Sequence, residues 1–393
     1  MPLNPTSKFL VDTVEALPLL DGRFEDLKLM NYDSAQDQQR GCFSLVFRAI
    51  DTTTGKPVAL KFFDPQRMMD VYRLTAFRRE HSILEELVGE VRCLQLASSL
   101  QKYDLHVPTA AGVTLPLPCE YFAIEWIDDE IDKYFLCQED FSALDRLKLF
   151  LAIALAVEAL HSRGIFHRDL KPDNLRLSHH AAQKQVIAID LGAAAKYMSP
   201  PFQNPYFYSV GAPAYASAEA HCGLAGNRLL ASYTDIFALG CMLFELFNAD
   251  YHFKAIFARN QNYQPLLAVL GSGVDHTADD RAQKASWDKL IHRLSNSYVT
   301  ASITNGGNDV PSGIVPILDD VLSRMTHIDY RNRPSIKWSR DRISSAIKVL
   351  SNDRLYQFRL ERAREQRRRK FESVKSLWER VAIFKAKALT EKA

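Results

Sequence analysis

The sequence has few of the features that mark secreted or metal-binding proteins. Its 393 residues include only six cysteines, and these show no paired spacing of the disulfide or zinc kind. Most are expected to be small core residues in a reducing compartment, which predicts an intracellular, cytoplasmic location. No cationic stretch at the N-terminus leads into a long apolar run, so no secretory signal is evident.

Long hydrophobic runs and an excess of one charge are also absent. The longest apolar segment, residues 147–160, is interrupted by Lys148 and Glu158 and is too short to span a bilayer, so it predicts a buried helix. The net charge is +2, so the chain as a whole has no large positive charge that would favour binding to nucleic acid. With 47% hydrophobic residues and no internal repeats, the chain can fill two lobes, since single cores divide above about 250–300 residues.

Residues 167–174 carry the strongest chemical signal in the chain. The segment reads HRDLKPDN and places a potential proton acceptor, Asp169, beside a phosphate-binding cation, Lys171, and a metal-binding amide, Asn174. In-line phosphoryl transfer needs a carboxylate near the attacking hydroxyl, positive charge on the moving phosphate and oxygen ligands for Mg²⁺. The segment resembles, letter for letter, the catalytic loop of the eukaryotic-type serine/threonine protein kinases.

A lysine and a glutamate lie upstream where that resemblance requires them. Residues 57–63 predict a buried strand, in which Lys61 is unusual unless its ammonium has a partner. Glu80 follows nineteen residues later in a segment with helical apolar spacing. The resemblance implies that Lys61 binds the α- and β-phosphates of ATP and that Glu80 orients it. Taken alone, Lys61 is also typical of a surface lysine and Glu80 is more typical of a solvated helix face; the catalytic loop downstream reverses that interpretation.

Downstream, residues 186–192 predict a β-branched strand that ends in Asp190, Leu191 and Gly192. This ending resembles the metal-binding triplet of the family, with leucine in place of phenylalanine. The resemblance implies that Asp190 and Asn174 hold Mg²⁺ through oxygen atoms, which a hard cation prefers. By itself the pattern is also that of an acidic turn after a strand.

The resemblance also implies a nucleotide pocket between two lobes. Residues 39–46 align with the glycine-rich loop but keep only one of its three glycines, and residues 121–127 resemble the last small-lobe strand and the hinge. Adenine is expected at the backbone near Glu125 and Ile127, with Ile124 at the back of the pocket. The full set of expected ATP contacts is Gly41, Phe43, Ser44, Val46, Ala59, Lys61, Ile124, Glu125, Ile127, Asn174 and Asp190.

The predicted fold is α+β, with a small antiparallel-sheet lobe and a mainly helical large lobe. Residues 1–23 form a lead-in of uncertain order, 24–127 the small lobe and hinge, and 128–352 the large lobe, with an insertion at 255–312. An added helical element is predicted over residues 91–100 and a further helix over 278–298 in the insertion. Residues 211–219 resemble the end of the activation segment, with Ala212 in place of the usual threonine, and Arg333 is expected to pair with Glu219.

These features predict an ATP-dependent kinase that transfers the γ-phosphoryl group to serine or threonine hydroxyls of protein substrates, itself included. Lys171 followed by Pro172 favours these acceptors over tyrosine. Arg168, next to Asp169, implies control by phosphorylation of the activation segment at Tyr208 or Ser209. Two alternatives stay open: a pseudokinase scaffold, favoured by the depleted glycine loop and Ala212, and a kinase-fold enzyme acting on a small molecule.

Residues 353–393 form a separate basic segment, with 13 Lys or Arg against 6 Asp or Glu. Its apolar residues recur near helical spacing, which predicts an amphipathic helix with a cationic face. This tail could dock on an acidic patch of the same protein or bind a partner protein; nucleic acid and anionic membrane are less favoured. The sequence makes no prediction of oligomeric state. The apolar positions are Phe371, Val374, Trp378, Val381 and Phe384.

Overall fold

The computed structural model describes residues 3–33, 38–39, 44–108, 112–137, 140–178, 185–198, 211–248, 250–292, 298–303 and 310–390. Within these ranges it describes the backbone alone at residues 33, 38–39, 129–130, 363–364 and 376–390. The predicted two-lobed α+β fold is confirmed.

The small lobe is built on one five-stranded antiparallel sheet. Its strands are β1 (Phe24–Leu29), β4 (Ser44–Asp51), β5 (Lys56–Phe63), β6 (Leu96–Pro108) and β7 (Thr114–Glu125), in the order β1-β4-β5-β7-β6. A two-stranded pair, β2 (Tyr32–Asp33) and β3 (Gln38–Gln39), lies between β1 and β4 in the chain. The turn from β4 to β5 uses Gly55 at φ +66°, a conformation that glycine adopts without strain. Helix α2 (Val71–Glu86) follows β5.

The lead-in contains a helix that belongs to the small-lobe core. Helix α1 (Pro5–Glu15) begins after Asn4, whose side chain accepts a hydrogen bond from the Thr6 N–H, as N-cap residues do. Leu10 and Val14 are buried among residues of the sheet. The hydroxyl of Ser7 donates to Asp64 at 2.6 Å, and both side chains are buried. Helix α1 is thereby fixed to the segment that follows β5.

The helix predicted over residues 91–100 is wrong. Strand β6 begins at Leu96 and pairs with β7 as far as Pro108, opposite Thr114, so the extra residues of this region lengthen a hairpin. A helix here would leave the outer backbone groups of β7 without partners, whereas strand pairing satisfies them. Apolar side chains at three- to four-residue intervals are compatible with either structure when the segment is short.

The large lobe is mainly helical. Helix α4 (Ala143–Ser162) begins with a capping box, in which Ser142 and Asp145 satisfy each other's backbone N–H groups. Helix α6 (Ala231–Phe247) is buried along nearly its whole length. The helix predicted from residues 147–160 is therefore present as α4. The helices are α3 (Lys133–Leu136), α4 (Ala143–Ser162), α5 (Ala218–His221), α6 (Ala231–Phe247), α7 (His252–Arg259), α8 (Tyr263–Ser272), α9 (Asp280–Ile291), α10 (Val315–Met325), α11 (Ile336–Asn352) and α12 (Arg354–Thr390).

Short strands frame the catalytic loop in this lobe. Strands β11, β10 and β8 form one antiparallel sheet, and β12 pairs with β9. The loop of residues 167–174 lies between β9 and β10, so both of its ends are held by strand pairing. The strands are β8 (Asp129–Glu130), β9 (Ile165–Phe166), β10 (Leu175–Ser178), β11 (Gln185–Ala188) and β12 (Ala195–Lys196).

The predicted insertion helix is present but shorter than expected. It is α9, which ends at Ile291, and residues 293–297 of the prediction lie outside the described part of the chain. The predicted amphipathic tail is α12, although the side chains of Trp378, Val381 and Phe384 are outside the description. Among the described residues, no helix combines the length and apolar character needed to cross a bilayer.

Candidate active site

Lys61 lies on the central strand β5 and contacts two carboxylates. Its Nζ is 2.7 and 2.8 Å from the two Glu80 oxygens and 3.0 Å from Oδ1 of Asp190. Lys61 and Glu80 are buried, whereas the Asp190 side chain is 48% exposed. Helix α2 brings Glu80 to this position. The N-cap of α2 is Asp70, whose side chain accepts a hydrogen bond from the Arg73 N–H. The structure thus brings together three residues that are far apart in the sequence.

The charges of this cluster favour an ionised lysine. Burial alone would lower the pKa of the Lys61 ammonium, but the charges of Asp190 and Glu80 outweigh it and raise that pKa. The Lys61 charge in turn lowers the pKa of Asp190. The Lys61 ammonium is therefore held as a cation between two carboxylates, one of which, Asp190, remains accessible to solvent.

The catalytic loop is held from below by Asp235 on α6. Its two carboxylate oxygens accept from the backbone N–H of His167 at 2.8 Å and of Arg168 at 2.7 Å. Arg168 adopts φ +63°, a left-handed conformation that costs energy in a non-glycine residue and persists where surrounding contacts fix it. Residue type and spacing do not indicate this role of Asp235, because it depends on where α6 packs against the loop.

The carboxylate of Asp169 is oriented by three groups. Its Oδ1 accepts from the backbone N–H of Ala212 at 2.7 Å, and its Oδ2 accepts from the Asn174 amide at 3.1 Å. The Lys171 ammonium lies 3.8 Å from Oδ2. Gly211 at φ +87° allows this approach, because a Cβ there would lie 2.5 Å from the Arg168 carbonyl. The backbone of the activation segment thus supplies a hydrogen bond that the missing threonine hydroxyl cannot.

Asn174 and Asp190 offer the oxygen atoms that a hard cation prefers. The Asn174 NH₂ donates to the Asp169 carbonyl at 2.8 Å, which leaves its amide oxygen without a hydrogen bond among the described residues. Asp190 follows β11 at φ +59°, with one carboxylate oxygen on Lys61. The donor set therefore fits Mg²⁺ together with phosphate oxygens.

Several of the other residues expected around a nucleotide lie on adjacent strands of the small-lobe sheet. Val46 and Ile124 pair across the sheet with Lys61 and Ala59 respectively, so these four residues cluster on adjacent strands. The Glu125 N–H donates to the Gln95 carbonyl at 2.9 Å, so this N–H is already used within the protein.

Two of the expected nucleotide contacts lie toward the ends of these strands. Ser44 begins β4, opposite Phe63, and Ile127 follows β7 in the hinge. Gly41 and Phe43 lie outside the described residues.

The end of the activation segment is fixed to the large lobe by a buried ion pair. Arg333 contacts both oxygens of Glu219, at 2.5 and 3.0 Å, and neither side chain is exposed. The predicted pairing of these two residues is confirmed. Nearby, the Tyr215 hydroxyl donates to Glu245 at 2.7 Å, and burial raises the pKa of that carboxyl to about 7.

Arg168 has neutral partners in the described part of the chain. Its guanidinium donates to the carbonyls of Ala193 at 2.7 Å and Ala225 at 2.9 Å. Burial, followed by the nearby charge of Arg79, lowers the pKa of Arg168 to about 10. Two arginines thus lie close together, an arrangement that an anion would stabilise. The predicted modification sites, Tyr208 and Ser209, lie outside the described residues.

Comparison with known proteins agrees with this fold. Residues 36–341 match the protein kinase domain, and the chain belongs to the protein kinase family. It is 28% identical over 228 residues to CBL-interacting protein kinase 11 of Oryza sativa subsp. japonica, which covers 58% of this chain and 41% of that protein. It is 28% identical over 244 residues to the serine/threonine-protein kinase PknD of Chlamydia caviae, which covers 58% of this chain and 25% of that protein. These matches confirm the resemblance to the eukaryotic-type serine/threonine kinases, although they cover less than half the length of either relative.

Proposed function

We propose that the chain transfers the γ-phosphoryl group of ATP to serine or threonine hydroxyls of protein substrates. The observation that carries the proposal is the orientation of Asp169, whose carboxylate is fixed by Ala212, Asn174 and the nearby Lys171. A carboxylate held in this way can orient an acceptor hydroxyl and take its proton. Lys171 lies close enough to the same carboxylate to steady negative charge on the transferred group.

The nucleotide is proposed to lie between the lobes, with its adenine at Glu125 and Ile127. Lys61 would bind the phosphates, and Glu80 would hold the Lys61 ammonium in place. Mg²⁺, held by Asn174 and Asp190, would neutralise charge on the phosphate oxygens. Asp190 can serve both partners because one of its oxygens contacts Lys61 while its side chain stays half exposed.

Regulation by phosphorylation of the activation segment remains part of the proposal. A phosphate on Tyr208 or Ser209 would bring negative charge toward Arg168 and Arg79, whose mutual repulsion it would relieve. A cytoplasmic location and a protein partner for the basic tail are proposed with it.

The test is site-mapped phosphorylation by mass spectrometry after incubation with Mg-ATP. Wild type is compared with Asp169→Asn and with Asp173→Asn, a matched control at an exposed acid of the same loop. Phosphoserine or phosphothreonine is expected in wild type and Asp173→Asn and is expected to disappear in Asp169→Asn.

The two alternative functions give different results in the same experiment. Nucleotide binding without ATP consumption would indicate a pseudokinase. ATP consumption that is lost in Asp169→Asn, with no phosphate on any protein, would indicate a small-molecule acceptor. Either outcome would overturn the proposed protein kinase activity.

A further inference from the structure

The helix α12 leaves the large lobe before it ends. At its start, the Tyr356 hydroxyl accepts from the Leu144 N–H at 3.1 Å, and Leu360 is buried in the large-lobe core. Further along, Arg367 donates to the Asp140 carbonyl. Residues 366–375 are all exposed, with Phe371 at 70% and Val374 at 44%. From Phe371 to Thr390 the helix runs for roughly 30 Å at 1.5 Å per residue.

The exposed apolar residues continue the face that docks on the lobe. Phe371 and Val374, here called the tail stripe, follow Tyr356, Leu360 and Arg367 at intervals of four, seven, four and three residues. At about 100° per residue, all five positions fall within roughly 60° of the helix circumference. The tail stripe therefore lies on the side of α12 that contacts the large lobe. It borders the corner between the lobe and the part of α12 that extends beyond it.

Two lysines with no acidic partner among the described side chains border the tail stripe. Lys370 and Lys375 lie about 70° to either side of its centre, and neither contacts a carboxylate among the described residues. Arg368 and Arg369, by contrast, pair with Glu365 at 3.2 and 3.0 Å. Each such pair stabilises the helix by about 0.2–0.5 kcal/mol.

We propose that the projecting part of α12 binds an acidic amphipathic helix of another protein in this corner. Apolar side chains of the partner would cover Phe371 and Val374, and its carboxylates would pair with Lys370 and Lys375 on the two borders. Paired helices associate in this way, with apolar side chains between them and opposite charges along the borders. The inference deepens the proposed partner of the basic tail and does not depend on phosphoryl transfer.

The geometry favours this occupant over three others. A flat membrane cannot reach the tail stripe along its length, because the lobe lies on the same side of the helix. A nucleic acid could neutralise Lys370 and Lys375 but would leave the apolar side chains uncovered. A second copy of the tail would bring another segment of net charge +7 against the first. A slender acidic helix meets each requirement.

The test measures binding of a labelled synthetic helix to the full chain by fluorescence anisotropy. The probe carries leucine at its a and d positions and glutamate at its e and g positions. The test variant is Phe371→Ser, and the matched control is Phe358→Ser, an exposed aromatic roughly 140° away around the same helix. A double charge reversal, Lys370→Glu with Lys375→Glu, tests the borders. Unchanged melting temperatures show that each variant folds.

Binding is expected in wild type and Phe358→Ser, with affinity about tenfold lower or worse in Phe371→Ser and in the charge reversal. It should also weaken as salt is raised. Equal binding by Phe371→Ser and Phe358→Ser, or no binding by wild type, would overturn the inference. Binding of the wild-type chain only to vesicles that contain phosphatidylserine would also overturn it. The same holds for a dimer, detected by light scattering, that dissociates in the Phe371→Ser variant. The Asp169→Asn protein should bind the probe like wild type, so a failure here is distinct from a failure of the proposed kinase activity.

Discussion

The backbone N–H of Ala212 donates to Oδ1 of Asp169 at 2.7 Å, which joins the activation segment directly to the proposed catalytic base. Because the donor is a main-chain group, the orientation of Asp169 depends on the path of the segment and not on the side chain at position 212. This relationship explains how a site without the usual threonine can still hold its carboxylate.

The first prediction removes that donor. Ala212 has φ −73°, which proline can adopt, and Ala212→Pro replaces the N–H by a ring carbon that cannot donate and that displaces the Asp169 carboxylate. We expect kcat to fall roughly 100-fold, since misplacement of a catalytic group by about 1 Å costs that much. Ala212→Ser, which keeps the N–H, should retain activity. Steady-state kinetics measure both, and equal rates in the two variants would contradict the role assigned to this hydrogen bond.

The second prediction concerns the glycine beside it. In Gly211→Ala, the added Cβ would lie 2.5 Å from the Arg168 carbonyl and 3.0 Å from Asp169 Oδ1. The catalytic loop and the activation segment must then separate, so we expect kcat to fall by a factor of about 100 while nucleotide affinity is kept. Gly55→Ala is the control, because it has a similar positive φ but no atom within 4 Å of its added Cβ. It should lower the melting temperature and leave kcat unchanged.

The third prediction tests the buried charge of Glu80. Lys61→Met leaves this carboxylate, which is fully buried, without its cation. The free energy of unfolding should fall by roughly 3 kcal/mol, because an unpaired buried charge is costly. Adding Glu80→Leu should restore most of that loss while activity stays absent. Denaturant titration measures the effect, and a double variant as unstable as Lys61→Met would show that another interaction is responsible.

The fourth prediction is a pH dependence of stability that arises from Glu245. Burial raises the pKa of this carboxyl from 4.5 to about 7 in the folded protein, so between these values the folded state holds a proton that the unfolded chain has lost. The contribution of Glu245 to the free energy of unfolding is therefore fully present below pH 4.5. It is lost as the pH rises to 7, a change of about 3 kcal/mol.

Glu245→Gln isolates this contribution from that of neighbouring groups. Burial lowers the pKa of His252 to about 3, so His252 acts in the opposite direction, destabilising the fold as the pH falls below about 6.5. Both proteins contain His252, so their difference reports Glu245. The variant should be more stable than wild type at pH 8 and lose this advantage by pH 5. Melting temperatures across this range measure it, and a constant difference would contradict the assignment.

The sequence predicted the parts of the site that depend on residue type at a fixed spacing. Asp169, Lys171 and Asn174 lie within one loop, so local pattern was enough to suggest their grouping, whereas Lys61 and Glu80 were grouped with them only because their segments resemble the family. The pairing of Glu219 with Arg333 spans 114 residues and was predicted only because both lie in segments that resemble the family.

Contacts made by backbone groups were not predictable in this way. The Ala212 N–H is a main-chain donor, and the Asp235 carboxylate accepts from main-chain N–H groups, which every residue type except proline carries, so the sequence does not mark which residues these groups pair with. The wrong helix at residues 91–100 has a related cause. Whether an apolar segment of this length forms a helix or a strand depends on the open edge of β7, which lies elsewhere in the chain.

The packing of α1 has a consequence for the order in which this protein is made. The buried core of the sheet that contains β5 draws all its members from Leu10 to Ala123, so it is complete before the catalytic loop has been synthesised. Domains generally fold as units during synthesis, N-terminal first. We therefore expect the part of the sheet that packs against α1 to reach its native structure on the ribosome, whereas α2, whose Phe77, Ile83 and Leu84 pack into the large-lobe core, brings Glu80 to Lys61 only later.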